Sequence, residues 1–338
     1  MTGYVPGEQP QDRRYIKLNT NENPYPPSPQ VIEAVRAAAH EDLRLYPDPV
    51  ANALRDRAAA VYGVRRENIL VGNGSDELLS LIMRACVSRG DRVVYPYPTY
   101  SLYDTLVTIE EGEVVHLPYA EDFSLPSGLA AAGGRVTLVC HPNSPSGTAV
   151  PMAALAALAR DVPGLLIIDE AYVDFADASA LELVQRYDNV IVLRTFSKSF
   201  SLAGMRVGLA FAAAGLIDQF LKVKDSYNVT RLSIVAATAA LEDLAWMTAN
   251  VARIRRTRSR LTDGLRARGF AVSPSQSNFV LARCAGRTLE GVYLDLKARG
   301  ILVRYFAVPE LRDALRITVG TDDEVDALLA ALREIELR

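Results

Sequence analysis

The chain has 338 residues, 49% of them hydrophobic and 23% charged, enough apolar material for a sizeable core and two domains. Its 37 basic residues against 40 acidic ones give a formal charge of −3, so there is no electrostatic case for nucleic acid or an anionic membrane as the main partner. Three dispersed cysteines without a CxxC pair and three histidines at no metal-ligand spacing argue against a disulfide framework and a zinc site.

No leader pattern precedes the first elements, and no apolar run approaches the ~18 residues of a membrane helix, so a cytoplasmic location is expected. Residues 1–30, rich in Pro, Asn and Gly, read as an irregular arm in which Ile16 and Leu18 could dock. From Ser28, a candidate N-cap, Val31, Ile32 and Val35 recur at helical spacing, and residues 50–62 are helical again after the turn at Pro47. Seven short runs rich in Val, Ile and Leu follow, beginning at Ile69, Arg92, Glu113, Val136, Leu165, Val190 and Val207. Helical patterns such as Glu77–Ser88 and Met152–Arg160 separate several of them. Continuous apolar strands alternating with helices predict an α/β fold with a mostly parallel seven-stranded sheet buried on both faces.

A long helical stretch then runs from Leu232 towards Arg268, with a break allowed. Its basic run from Arg253 to Arg260 is read as a solvated helix face, because Ile254 and Leu261 share the opposite side. Strands near Asn278, Ile301 and Leu315, and a helix over Asp322–Glu334, complete a smaller α+β unit. The expected division is an arm over residues 1–30 packing with the small domain, a large domain over 31–235 and the small domain over 236–338.

In an open α/β sheet, ligands bind outside the carboxyl ends of the strands. Five polar clusters fall there. Gly74, Ser75 and Asp76 lead from a strand into a helix, where small residues let N–H groups approach a phosphate; capping by Ser75 or Asp76 explains the same residues. Tyr97 and Tyr100 could stack on a planar ring or pack a Pro-rich turn. Asn143 sits in a turn stiffened by Pro142, Pro145 and Gly147. Asp169 ends a very apolar strand, where a carboxylate needs a charged or hydrogen-bonding partner, and Tyr172 follows it. Ser197, Lys198 and Ser199 lie in a loop after the strand at Val190, with Arg206 eight residues beyond Lys198. A lysine held near neutrality can act as a base and Schiff-base former.

In this order the clusters resemble those of the fold type I pyridoxal phosphate aminotransferases, over essentially the whole chain. Within that family the chain is most similar to the histidinol-phosphate aminotransferases, through Leu18-Asn19-Thr20-Asn21-Glu22-Asn23-Pro24, Asp169-Glu170-Ala171-Tyr172-Val173-Asp174-Phe175, Leu193-Arg194-Thr195-Phe196-Ser197-Lys198-Ser199-Phe200 and Leu315-Arg316-Ile317-Thr318. The resemblance implies pyridoxal 5'-phosphate, with Lys198 as its covalent anchor and proton carrier and Asp169 as partner of the pyridinium nitrogen. It assigns Asn143 and Tyr172 to the ring 3'-oxygen and Tyr100 to stacking on the ring. Gly74, Ser75, Asp76, Ser197 and Arg206 would hold the cofactor phosphate. Tyr46 would reach that phosphate from a neighbouring subunit, which implies a homodimer.

By the same resemblance Arg304 and Arg316, with an N-terminal tyrosine, would bind the substrate phosphate; arginine suits such bidentate contacts. Tyr4 is the matching tyrosine, although the Leu and Pro that precede it in the family are absent here. The expected reaction exchanges an amino group between glutamate and imidazole acetol phosphate, in histidine biosynthesis. An aromatic amino acid aminotransferase of the same subfamily is the alternative, ahead of an amino-acid-phosphate decarboxylase.

Overall fold

The computed structural model describes residue 3 and residues 5–335. The central sheet contains β2 (Ile69–Gly72), β3 (Arg92–Tyr97), β4 (Glu113–Pro118), β5 (Val136–Cys140), β6 (Leu165–Asp169), β7 (Val190–Thr195) and β8 (Gly208–Phe211), in the order β2-β8-β7-β6-β5-β3-β4. All neighbours are parallel except β8, which runs against both β2 and β7. This matches the seven apolar runs expected, with burial on both faces in every strand but the edge strand β4, which has no fully buried residue.

Successive strand residues face different helical layers. Leu166 and Ile168 join the cluster that contains Val31, Leu54 and Leu155, from α1 (Pro29–Ala38), α2 (Asn52–Tyr62) and α5 (Met152–Asp161). Ile167 joins the opposite cluster with Leu78, Tyr103 and Phe220, from α3 (Ser75–Cys86), α4 (Leu102–Ile109) and α6 (Ala214–Val223). Val190, Val192 and Ile191, Leu193 divide in the same way. Each such residue removed from water contributes about 1.5–3 kcal/mol, and a one-residue slip would exchange the two faces. The register at the carboxyl edge is therefore firmly set, with Asp169 beside Cys140 on one side and Leu193 on the other.

The expected long helix is two helices, α7 (Arg231–Glu242) and α8 (Leu244–Ala267), bent by 78° at Asp243. Asp243 caps α8 by accepting from the Trp246 N–H, and it also accepts from the Ser28 hydroxyl. The expected boundary at residue 235 falls inside α7, whose buried residues as far as Leu241 belong to the core around α1 and α2. Leu244 and Met247, at the start of α8, still pack against it. On α8, Arg255 pairs with Asp177, Arg260 with Asp322 and Asp326, and Arg258 donates to Ser277 O, while Ile254 and Leu261 are buried.

The second sheet has the order β1-β11-β12-β10-β9, from β1 (Ile16–Leu18), β9 (Ala271–Val272), β10 (Phe279–Arg283), β11 (Ile301–Tyr305) and β12 (Ala314–Thr318). It packs with α8, α9 (Glu290–Ala298) and α10 (Asp322–Glu334), the last started by a capping box between Thr321 and Glu324. Part of the arm is thus regular: Ile16–Leu18 pairs in parallel with β11. Among the described residues no single helix is long and apolar enough to cross a membrane.

Candidate active site

A cavity of about 660 Å³ lies where the carboxyl ends of β3, β5, β6 and β7 meet the arm and the small sheet. Ser75, Asp76, Tyr100, Asp169, Tyr172, Ser197, Lys198, Arg206, Arg304 and Arg316 all line it. Gly74, Asn143 and Tyr46 are not among the lining residues, and Tyr4 lies outside the described residues.

At the start of α3 the structure corrects the capping account. The N-cap is Gly74, at φ +87°, and Ser75 and Asp76 are the first helical residues. Glycine is required by that φ, and a Cβ there would displace the Arg206 guanidinium, whose Nη2 lies 2.6 Å from its position. Across the same gap, a Cβ on Gly208 would come within 2.5 Å of the Ser75 nitrogen. Helix start, strand β8 and guanidinium therefore close around one small space. Arg206, itself at φ +51°, reaches Asp76 Oδ2 at 3.3 Å and donates to Ser197 Oγ at 3.3 Å. First-turn N–H groups, the macrodipole of a 12-residue helix, a hydroxyl and an arginine together form a phosphate donor set.

Asp169 is buried at the end of β6, and burial pushes its carboxyl up to about 6. That rise persists although the Tyr103 hydroxyl donates to Oδ2 at 2.7 Å and the Ala171 N–H to Oδ1 at 3.1 Å. A carboxylate placed like this gains most from a cation in the cavity. Lys198 projects from the loop after β7. Burial, reinforced by the positive charge of Arg316, brings its ammonium down to about 8. Its Nζ donates to Thr20 O at 3.2 Å and lies 5.7 Å from the centre of the Tyr172 ring.

The Tyr172 hydroxyl accepts from the Asn21 amide at 3.0 Å. The Tyr100 hydroxyl donates to Asp76 at 3.2 Å. The Asn143 amide is held within its own turn and the next: its nitrogen donates to Ser146 Oγ at 3.0 Å and Pro98 O at 3.3 Å, and its oxygen accepts from Thr99 at 2.8 Å. Tyr46 is exposed and stacks on Tyr227 with ring centres 4.4 Å apart. The small sheet supplies Arg304 and Arg316, directly opposite one another on antiparallel β11 and β12. Arg304 donates to the arm carbonyls of Val5 at 2.7 Å and Pro6 at 3.0 Å. Arg316 donates to Asn19 O at 3.0 Å and Ser144 Oγ at 3.1 Å. Both guanidinium groups lie over the Phe306 ring, at 5.3 and 5.5 Å.

Sequence reasoning assigned no role to Tyr103, Asn21 or Phe306. Asn21 lies in the Asn-rich run near the start, which offered a signal. Phe306 closes the run Val303-Arg304-Tyr305-Phe306, one of the family-like runs, while Tyr103 offered none, since it matters through tertiary placement alone.

The donor set fits pyridoxal phosphate: a lysine of lowered pKa, a buried carboxylate for a ring cation and a phosphate cradle face one cavity. The family model for aminotransferase class I and II matches residues 13–332. The chain is 48% identical to histidinol-phosphate aminotransferase 1 of Trichormus variabilis over 99% of its own length and 96% of the relative's. It is 45% identical to the histidinol-phosphate aminotransferase of Geotalea daltonii, over 99% and 97% of the two chains. A crystal structure of histidinol-phosphate aminotransferase from Sinorhizobium meliloti, in complex with pyridoxal-5'-phosphate, superposes with a TM-score of 0.90. It is 32% identical, over 95% of this chain and 91% of that one. With a cavity, a fold and a sequence that agree along their whole length, the chain belongs to the class I and II aminotransferases, among the histidinol-phosphate aminotransferases.

Proposed function

We propose that the protein transfers an amino group between glutamate and imidazole acetol phosphate, giving 2-oxoglutarate and histidinol phosphate, in histidine biosynthesis. One observation carries the reaction type: Asp169, raised to about 6, and Lys198, lowered to about 8, line a single cavity beside a phosphate cradle. The names of the 45–48% identical relatives support the substrate.

Bound here, pyridoxal phosphate supplies an electron sink for the negative charge left when the substrate Cα–H bond breaks. Lys198 would hold it covalently through Nζ. Asp169 would pair with the ring nitrogen and keep it protonated, its own carboxyl ionised. Ser75 and Asp76 N–H groups, Ser197 Oγ and Arg206 would hold the phosphate, and Tyr172 would hydrogen-bond the ring from its hydroxyl. Tyr100 would cover the ring face. Lys198 Nζ would serve as the base for the proton on substrate Cα. Asn143 serves the ring oxygen only after its amide turns from Ser146 or Pro98.

Arg304 and Arg316 bind the substrate phosphate, and the carboxylate of glutamate in the other half-reaction. Their opposed placement on two strands supports a two-armed grip, with Tyr4 as a third contributor. We further propose a homodimer in which the exposed Tyr46 completes the partner's phosphate site, and a division into arm, large and small domains near the expected limits. The test is an absorbance spectrum of purified protein with cofactor, before and after histidinol phosphate. A visible band that substrate converts to the amino form of the cofactor is expected. A kcat/KM for phenylalanine above that for histidinol phosphate would favour the aromatic alternative.

A further inference from the structure

The chain neighbours of the two central residues, Glu170 after Asp169 and Ser199 after Lys198, belong to one ionic network. Arg194, on β7 and only 12% exposed in its side chain, lies 3.1 Å from Glu170 Oε2 and 3.6 Å from Asp174 Oδ1. It also donates to Ser179 Oγ at 2.8 Å and covers the Tyr62 ring at 4.8 Å. Glu170 is fully buried and accepts from the Ala180 N–H and the Ser179 hydroxyl. The Ser199 hydroxyl donates to Asp174 Oδ2. On the other side of the same peptide, the Asn23 amide donates to Lys198 O and Ser199 O, each at 3.1 Å.

We propose that Ser199 and Asp174 are positioning residues for Lys198: the Ser199–Asp174 bond, braced by Arg194 and Glu170, fixes the direction in which the lysine leaves its loop. The loop needs such a tether. It contains Ser201 at φ +60°, and among the described residues the backbone hydrogen bond accepted by Lys198 O is the long one from Ser201 N, at 3.4 Å. Neither Asp174 nor Glu170 is among the main charges that set the Lys198 pKa. The role is therefore geometric. The strut ties the ends of β6 and β7, so the carboxylate on one and the amine on the other keep a fixed separation. A displacement of about 1 Å at a reacting group can cost a hundredfold in rate. The inference rests on the cofactor reading given above.

The test compares Ser199→Ala, Ser199→Thr and Asp174→Asn with the parent enzyme. Three quantities are measured: the dissociation constant for pyridoxal phosphate by absorbance titration, kcat and KM for histidinol phosphate, and the Tm of the cofactor-free protein. Ser199→Ala is expected to weaken the cofactor about tenfold and lower kcat about ten- to a hundredfold, with KM within about twofold. Ser199→Thr, which keeps the hydroxyl, should restore most of both. Asp174→Asn should follow Ser199→Ala, with less loss because an amide oxygen can still accept. A Ser199→Ala enzyme with a lower Tm but unchanged cofactor affinity and kcat overturns the positioning role. So does a Thr variant as damaged as the Ala variant. Absence of a visible band in the parent enzyme overturns the cofactor reading, and the tether with it.

Discussion

Replacing Tyr103 with Phe isolates the electrostatics of Asp169. The Tyr103 ring is fully buried and its hydroxyl donates to Asp169 Oδ2 at 2.7 Å, so the change deletes one donor and little volume. Hydrogen bonds to charged groups contribute about 1.5–3 kcal/mol, and those to neutral groups about 0.5–1.5. The difference favours the ionised form by about 1–2 kcal/mol, and each 1.36 kcal/mol corresponds to about one pH unit. Asp169, at about 6 in the parent, should therefore titrate near 7 in the variant. The sign follows from proton counts. An acid whose folded pKa is raised binds more protons folded than unfolded between the two values, so stability falls as pH rises through that window. For the cofactor-free parent the window runs from 3.8 to about 6 and is on the order of 3 kcal/mol deep. In Tyr103→Phe it extends to near 7. Urea unfolding of the cofactor-free proteins at pH 5 and pH 8, with Asp169→Asn as the reference lacking the ionisation, measures it. The destabilisation by Tyr103→Phe should be about 1–2 kcal/mol larger at pH 8 than at pH 5. A destabilisation independent of pH would refute the reasoning.

Lys198→Ala should lower kcat by at least about 10²–10⁴-fold. In the cofactor-free protein the folded pKa of Lys198 is lowered to about 8, so its contribution to stability should rise between about pH 8 and 10.5, a slope that a pH series of Tm values on the cofactor-free proteins would detect in the parent and not in the variant. Arg304→Ala and Arg316→Ala should each reduce kcat/KM for histidinol phosphate about ten- to a hundredfold, with a smaller effect of Arg304→Ala on phenylalanine turnover; equal losses on both substrates would remove the phosphate from the argument. Gly74→Ala forces a side chain into the left-handed region against Arg206, and titration should show pyridoxal phosphate bound at least about tenfold more weakly.

The large sheet was legible because burial on both faces leaves a signal that local pattern carries: every residue of Val136–Cys140 is apolar or small, and five of the seven runs end where a polar cluster begins. The small sheet's edge was not. Ile16–Leu18 is three residues long and becomes a strand only because β11 presents a free edge to it, which no local period encodes. The break at Asp243 was allowed but not located, since the helix former Leu241 and the capping Asp243 are separated by one residue and only the contact with Ser28 shows that the acid caps instead of continuing the helix.

The candidate site divides along the same line. Ser75, Asp169, Lys198 and Arg206 stand in runs whose composition is odd for a loop or a strand end, and those runs converge because parallel strands place their carboxyl ends side by side. Tyr103 carries no such mark, and Asn23 and Arg194 lie in marked runs without a role read for either. Tyr103 is one aromatic on an apolar helix face, and reaches Asp169 because α4 packs over the sheet. Arg194 reads as the polar position of a strand, yet it pairs with Glu170, the neighbour of Asp169, and with Asp174, which accepts from the neighbour of Lys198. Sequence composition thus points to groups that must be chemically unusual, such as a carboxylate raised by burial or an amine lowered by it. The groups that keep them in place are chemically ordinary, and only their distances from the first set give them a function. A substitution at Arg194 or Ser199 should accordingly alter where Lys198 sits more than how it ionises, and the separation of cofactor affinity from the pH dependence of the rate is the measurable difference between the two.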